Sequence, residues 1–258
     1  MISRTFAARA AQGQSTLVPY VTAGYPEAES TVPLLKALVE AGADVLEVGI
    51  PFSDPLADGP TIQRSSFASL RNGTTVRRVL DDVATFRSRH ETPVVLFTYL
   101  NPILRYGVET FVKDALAAGA QGLLMTDLPA GSDPDVEQII IDSALDLIRL
   151  VAPTTGLDRM PGAVAGGSGF VYYISRTGVT GASADLSGTL GDEVRRLKSI
   201  VSMPVAVGFG ISTPEQARAV AEVADGVVVG SALIQALDAS GISGAAKFIE
   251  SLRQGMDG

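Results

Sequence analysis

The sequence contains no cysteine and no tryptophan, and His90 is its single histidine. Without cysteine the chain can form no disulfide bond, no thiolate metal site and no cysteine nucleophile. One histidine cannot build a multi-histidine metal centre, and it makes a serine–histidine pair a weak hypothesis. We therefore expect no metal site, and we expect acid–base chemistry to come from carboxylate, tyrosine or lysine side chains.

Long apolar runs and basic clusters are also missing. No stretch of 18 apolar residues occurs, because charged side chains interrupt even the most apolar region, residues 138–151, so we predict no membrane span. Residues 1–14 lack the apolar core of a secretory signal and predict an amphipathic surface helix instead. The net charge of −8 argues against nucleic-acid binding, and together with the absence of cysteine it favours a cytoplasmic location.

The main feature that is present is a regular alternation of two kinds of segment. Short runs rich in Val, Ile and Leu predict eight parallel strands buried on both faces, at residues 17–22, 45–48, 94–98, 122–125, 146–151, 169–174, 205–207 and 226–229. Helix-like segments separate them, for example at residues 29–41, 75–90, 108–118, 189–201 and 214–223.

Local signals mark several helix ends. Thr213 can cap the helix that begins at Pro214, and Gln216 completes a capping box. Gly42 and Gly119 stand at predicted helix C-termini, where a left-handed backbone is least costly for glycine. No linker divides the chain, so residues 1–258 predict an α/β fold with one domain, a single (β/α)8 TIM barrel with an extra N-terminal helix. An open doubly wound sheet is the competing fold, but its glycine-rich turn usually follows the first strand.

In a barrel of this kind the active site lies at the C-terminal ends of the strands. Glu47 is a carboxylate within the second strand, where burial raises the pKa towards a range useful for acid–base chemistry; a structural ion pair is the alternative. Asp58 lies in the proline-rich loop that follows, where Asp58-Gly59 could also be a simple turn. Asp127 follows the fourth strand and either orients other groups of the site or caps the next helix.

Glycine-rich turns follow the last two predicted strands. The strings VGFGIS at residues 207–212 and VVVGSAL at residues 227–233 each place glycine before a helix. Backbone N–H groups at such positions bind phosphate without a lysine cluster, which this acidic chain lacks. In the loop after the sixth strand, two glycines stand around small hydroxyl residues, and this composition fits either a mobile lid or an ordinary surface loop. These residues predict a barrel enzyme that uses a phosphorylated substrate, and they leave the substrate open.

The string EVGIPFSDPLADGPTIQ at residues 47–63 closely resembles the tryptophan synthase α family. Further similar strings extend over almost the whole chain, including PYVTAGYP at residues 19–26, TYLNPILRYG at 98–107 and SRTGVTG at 175–181. The resemblance implies a barrel enzyme that cleaves indole-3-glycerol phosphate to indole and glyceraldehyde 3-phosphate in a retro-aldol reaction.

The resemblance also implies roles for individual residues. Glu47 matches the catalytic acid and base, and Asp58 matches the aspartate that binds the indole N–H. Tyr172 and Thr180 match supporting residues of the site. The phosphate-binding positions correspond to Gly181, Gly208, Phe209, Gly210, Gly230 and Ser231. Apolar neighbours of the indole ring are expected at Tyr20, Phe97, Tyr99 and Leu124.

A partner is implied as well. The family's α subunit docks on a β subunit that carries pyridoxal phosphate, in an αββα heterotetramer, so we expect no cofactor on this chain. The interface segments correspond to Pro51, Phe52, Asp54, Asn101 and Pro102. Three alternatives stay open at this point: a different barrel enzyme that shares only the phosphate site, a binding module for the β subunit, and a lyase that releases indole on its own.

Overall fold

The computed structural model describes residues 1–156, 158–174, 183–208 and 210–258, with the backbone alone for residues 183–189. Its strands are β1 (Thr16–Thr22), β2 (Leu46–Gly49), β3 (Val94–Thr98), β4 (Gly122–Met125), β5 (Asp146–Leu147), β6 (Arg149–Val151), β7 (Val171–Ile174), β8 (Val205–Gly208) and β9 (Gly226–Val229). Its helices are α1 (Ile2–Ala10), α2 (Thr31–Glu40), α3 (Pro60–Arg71), α4 (Val76–Arg87), α5 (Leu100–Tyr106), α6 (Val108–Ala117), α7 (Pro134–Ile141), α8 (Met160–Ala163), α9 (Ser183–Lys198), α10 (Pro214–Ala221) and α11 (Ser231–Asp257).

The strands form one parallel sheet in the order β5-β4-β3-β2-β1-β9-β8-β7-β6. The prediction of a continuous fifth strand at residues 146–151 was wrong, because the strand changes partner at Ile148. Its first part, β5, pairs with β4, and its second part, β6, pairs with β7. The two ends of the sheet are thus consecutive in the chain, which confirms the predicted (β/α)8 barrel.

The N-terminal helix α1 closes the lower end of the barrel. Its apolar residues Ile2 and Phe6 are buried, and the ring of Phe6 stacks on that of Phe170 with centroids 5.3 Å apart. Two glycines make room for them: a Cβ on Gly122 would lie 2.8 Å from Ile2 Cδ1, and a Cβ on Gly226 would lie 2.8 Å from Phe6 Cε1. Because this end is filled, a ligand must enter at the opposite end, where the strands terminate.

The predicted signals at helix ends are confirmed. Gly42 and Gly119 have φ values of +102° and +85°. The side chain of Thr213 accepts a hydrogen bond from the backbone N–H of Gln216 in a complete capping box at the start of α10. Among the residues that the structure describes, no helix combines the length and the apolar composition of a membrane span.

Several predicted boundaries were wrong, and two of them have a clear local reason. The sixth predicted strand begins at Val171 instead of Gly169, because Gly169 has a φ of +76°, which a strand cannot continue. Helix α9 begins at Ser183, six residues before its predicted start at Thr189. Its Ser- and Gly-containing first turns have the composition of a loop, and helix propensity is only a weak guide to such a boundary.

Candidate active site

A cavity of about 450 Å³ opens where the strands end. Its walls come from β1, β2, β3, β6, β7 and β9 and from the segments that follow β2, β4, β8 and β9. The structure brings eight of the predicted site residues together on its surface: Tyr20, Glu47, Asp58, Phe97, Tyr172, Gly210, Gly230 and Ser231. Two carboxylates and the glycines before the last two helices, Gly210 and Gly230, therefore line one cavity.

Glu47 lies in the middle of β2 and is almost completely buried, with 1% of its surface exposed. Its Oε1 atom has no hydrogen-bond partner among the described residues. Burial raises the pKa of this carboxyl from 4.5 to about 8, and no cation in the described part of the chain offsets the shift. The structure therefore favours a functional carboxyl over the structural ion pair that the sequence left open.

Because Glu47 is buried, we expect it to lower the free energy of unfolding as pH rises. Between pH 4.5 and about 8 the unfolded state ionises Glu47 while the folded state keeps it protonated, so stability falls across that window. We expect Glu47→Gln to raise the free energy of unfolding by about 2 kcal/mol at pH 8 and by much less at pH 5. Urea denaturation at both pH values measures the difference, and an equal gain at the two pH values would show that ionisation of Glu47 is not the cause.

Asp58 lies in the loop between β2 and α3 and faces the same cavity. The hydroxyl of Tyr99 donates a hydrogen bond to its carboxylate and accepts one from the backbone N–H of Ala57 at 3.0 Å. Burial raises the pKa of Asp58 to about 6, and the Tyr99 hydrogen bond limits that rise. At neutral pH Asp58 is thus mainly ionised while Glu47 is mainly protonated, a division that suits an acid and an anion in one site.

Two tyrosine side chains pack over glycines of the neighbouring strands. The hydroxyl of Tyr20 lies 2.2 Å from where a Cβ of Gly49 would be, and the hydroxyl of Tyr172 lies 2.4 Å from where a Cβ of Gly208 would be. Gly208, which we predicted to bind phosphate, is not on the cavity surface; it makes room for Tyr172. Burial and the charges of the two carboxylates hold the pKa of Tyr172 well above its usual value, so its hydroxyl stays protonated.

The N-terminus of α11 points into the cavity. Gly230, Ser231 and Ala232 line it, and the first hydrogen bond within the helix runs from the N–H of Ile234 to the carbonyl of Gly230 at 3.0 Å. The N–H groups before Ile234 have no partner within the helix itself, and together with the helix dipole they form a site for an anion. Gly210 lies on the same surface.

Other predicted residues lie elsewhere. Asp127 is exposed and accepts a hydrogen bond from the N–H of Leu100 at 2.7 Å, so it caps α5 outside the cavity. Leu124 is buried in the lower barrel interior with Phe170 and Ile2, and Tyr99 sits behind Asp58. Three predicted residues lie outside the described part of the chain: Thr180, Gly181 and Phe209.

The cavity also contains residues that sequence reasoning missed. Among them are Ile62, Thr126, Leu150, Ile174, Ser212 and Gln235. Gln235 follows Ser231 by four residues and so lies on the same helix face, a signal that could have found it. Among the residues with described side chains, no group of three or more histidine, aspartate or glutamate residues could hold a metal ion.

The predicted interface residues lie in the segments after β2 and β3. Phe52 packs against Tyr99 with ring centroids 5.1 Å apart, while Asp54 and Asn101 are exposed. Pro51 is buried and Pro102 is half-buried. Two large apolar side chains in the same segments are exposed, Leu56 at 81% and Leu104 at 49%. Contact between this surface and a partner stays a prediction.

The fold and the site together define a (β/α)8-barrel enzyme with a buried and a half-buried carboxylate in one cavity and an anion-binding helix end. A sequence profile described as "Tryptophan synthase alpha chain" matches residues 6–256. The tryptophan synthase alpha chain of Burkholderia thailandensis is 48% identical over 262 residues, which cover 100% of this chain and 97% of that protein. The chain therefore belongs to the tryptophan synthase alpha chain family.

Further relatives and solved structures agree. The alpha chain of Desulfatibacillum aliphaticivorans is 50% identical over 231 residues, covering 90% of this chain and 87% of that one. The crystal structure of the tryptophan synthase alpha subunit from Legionella pneumophila has a TM-score of 0.90 and 40% identity, covering 99% and 98% of the two chains. A chain of tryptophan synthase from M. tuberculosis, in its aminoacrylate-bound form, has the same TM-score at 36% identity, with coverage of 99% and 98%.

Membership of this family decides the reaction. The alpha chain is a lyase-type subunit that cleaves indole-3-glycerol phosphate and supplies indole to the β subunit, and that subunit is the partner of this chain. The alternative of a different barrel enzyme that shares only the phosphate site is thereby wrong. The pyridoxal phosphate of tryptophan synthase belongs to the β subunit.

Proposed function

We propose that this chain is an indole-3-glycerol-phosphate lyase in which Glu47 transfers protons and Asp58 stabilises positive charge on the indole ring. The observation that carries the proposal is that both carboxylates face one cavity with different pKa values, about 8 and about 6. A protonated acid and a fixed anion are then available together at neutral pH.

In the first step the protonated carboxyl of Glu47 donates its proton to C3 of the indole ring. The ring loses its aromatic character, and positive charge develops at the ring nitrogen. Asp58, fixed by Tyr99, accepts the hydrogen bond of the ring N–H and stabilises this charge.

In the second step the carboxylate of Glu47 removes the proton from the side-chain hydroxyl next to C3. The carbon–carbon bond breaks, its electrons return to the ring, and the former alcohol becomes the aldehyde of glyceraldehyde 3-phosphate. Glu47 ends protonated, so one carboxyl serves as acid and then as base, and the cycle is complete.

The walls of the cavity match the other parts of the substrate. Tyr20 and Phe97, whose rings meet edge to face with centroids 5.1 Å apart, offer an apolar surface for the indole ring. The N–H groups at the start of α11 offer a site for the phosphate. Tyr172, whose hydroxyl lies against Gly208 and within the electrostatic influence of both carboxylates, offers that hydroxyl to the glycerol chain.

The same proposal covers assembly and location. We propose that the chain is one domain, that it binds no cofactor itself, and that it acts in a cytoplasmic αββα heterotetramer. One sheet that includes strands from both halves of the chain supports the single domain. The exposed Leu56 and Leu104 support a docking surface at the segments after β2 and β3.

Indole release from indole-3-glycerol phosphate by the purified chain, with and without a tryptophan synthase β subunit, tests the proposal. The chain contains no tryptophan, so the fluorescence of indole is read against a low background. We expect slow release by the chain alone and a strong increase with the β subunit. Fast release that the β subunit leaves unchanged would indicate an independent lyase, and no release under either condition would contradict the proposed function.

A further inference from the structure

Helix α3, which begins two residues after Asp58, is held on the barrel mainly by polar contacts. Its buried residues are Ile62, Ser65, Ser66 and Ser69. The hydroxyl of Ser66 accepts from the N–H of Phe52 at 2.9 Å and donates to its carbonyl at 3.0 Å, and the hydroxyl of Ser69 donates to the carbonyl of Ala23. Because serine buries little apolar surface, the place of this helix depends on such directional contacts.

One carboxylate joins α3 to two other elements. Asp238, on α11, forms an ion pair with the guanidinium of Arg64 on α3. The hydroxyl of Tyr25, in the segment after β1, donates a hydrogen bond to the same carboxylate. The side chains of Arg64 and Asp238 are 55% and 30% exposed, so the cluster lies at the rim of the barrel and outside the cavity.

The part of α11 that bears Asp238 also bears the anion-binding end. Ser231 and Gln235 line the cavity, and the helical backbone continues to a break at Ser240 and Gly241. Asp238 lies two residues before that break. Pro60 and Ile62, from the first turn of α3, line the same cavity. The Arg64–Asp238 contact therefore joins the two helices whose N-terminal turns both line the substrate cavity.

We propose that Asp238 is a positioning residue for the cleavage reaction. Through Arg64 it holds α3, and with it Asp58, at a set distance from the anion-binding end of α11. Binding of the phosphate to α11 then places the indole ring against Asp58 in the geometry that the charge on the ring nitrogen requires. The inference rests on the role proposed for Asp58.

The test compares Arg64→Met, Asp238→Asn and the double variant in complex with the β subunit. Arg218→Met is the matched control, since it breaks the exposed ion pair between Arg218 on α10 and Glu222, neither of which lines the cavity. We expect kcat to fall about three- to tenfold in the single variants, because a small misplacement of a charge-stabilising group lowers the rate of the chemical step. We expect KM, and the inhibition constant of inorganic phosphate, to change less than about twofold.

Two further results separate positioning from general support of the fold. The double variant should lose no more activity than either single variant, because both changes break one contact. Arg64→Lys, which keeps the charge, should recover part of kcat. Thermal unfolding is measured for every variant. If Asp238→Asn folds poorly, the kinetic result for Arg64→Met, at an exposed residue, decides the test.

The outcomes are distinct. Unchanged kcat in Arg64→Met and Asp238→Asn, or parallel losses in kcat and in phosphate affinity, would overturn the positioning role. Additive losses in the double variant would do the same. If Asp58→Asn itself cleaves at the normal rate, the proposed function fails; if it is impaired while the Arg64 and Asp238 variants match the control, only this inference fails.

Discussion

Replacing Glu47 by Gln lowers the rate of indole-3-glycerol phosphate cleavage by about 10³-fold or more, because the amide can neither donate the proton to C3 nor accept the hydroxyl proton. Loss of a single general acid–base group commonly costs between about 10² and 10⁴ in rate, and in this site one group serves both steps. Steady-state indole release by the variant in complex with the β subunit measures the effect.

The variant keeps its fold, since Gln fills the same volume and removes a buried group that is costly to ionise. Glu222→Gln, at an exposed residue directly after α10, is the matched control and should cleave at the normal rate. A Glu47→Gln variant with turnover within about tenfold of the natural chain would remove Glu47 from both proton transfers.

Replacing Asp58 by Asn lowers kcat by about 10² to 10³, while KM changes much less. The amide still fills the space beside Tyr99, but it carries no charge to stabilise the cationic ring. The positive charge on the ring exists only after protonation of C3. Removing the negative charge of Asp58 therefore destabilises the transition state more than the bound substrate. Asp135→Asn, an exposed position on α7, is the control.

A pH series separates the two carboxylates. The pKa of about 6 for Asp58 predicts that activity of the natural chain falls as pH drops below 6, when the anion becomes protonated. Asp58→Asn should lose this acid limb and keep the remainder of the profile. An unchanged acid limb in that variant would assign it to a different group.

The sequence determined the alternation of strand and helix, the capping box at Thr213 and the left-handed glycines 42 and 119, because these signals depend on neighbouring residues. It also marked Glu47, since a carboxylate in a strand buried on both faces is costly without a function. The resemblance to the family supplied the substrate and the partner, which local patterns could not.

Features that depend on distant parts of the chain emerged from the packing of the folded protein. The fifth strand divides at Ile148 because its two halves have different partners, and no local pattern records that change. Gly208 makes room for a tyrosine on the neighbouring strand, while Asp127 caps α5, although the sequence predicts both as site residues. The pKa values of the two carboxylates also depend on distant parts of the chain. The pKa of Glu47 depends on the residues that exclude water around it, and the pKa of Asp58 depends on the hydroxyl that donates a hydrogen bond to it. Packing between remote segments places both the surrounding residues and the hydroxyl.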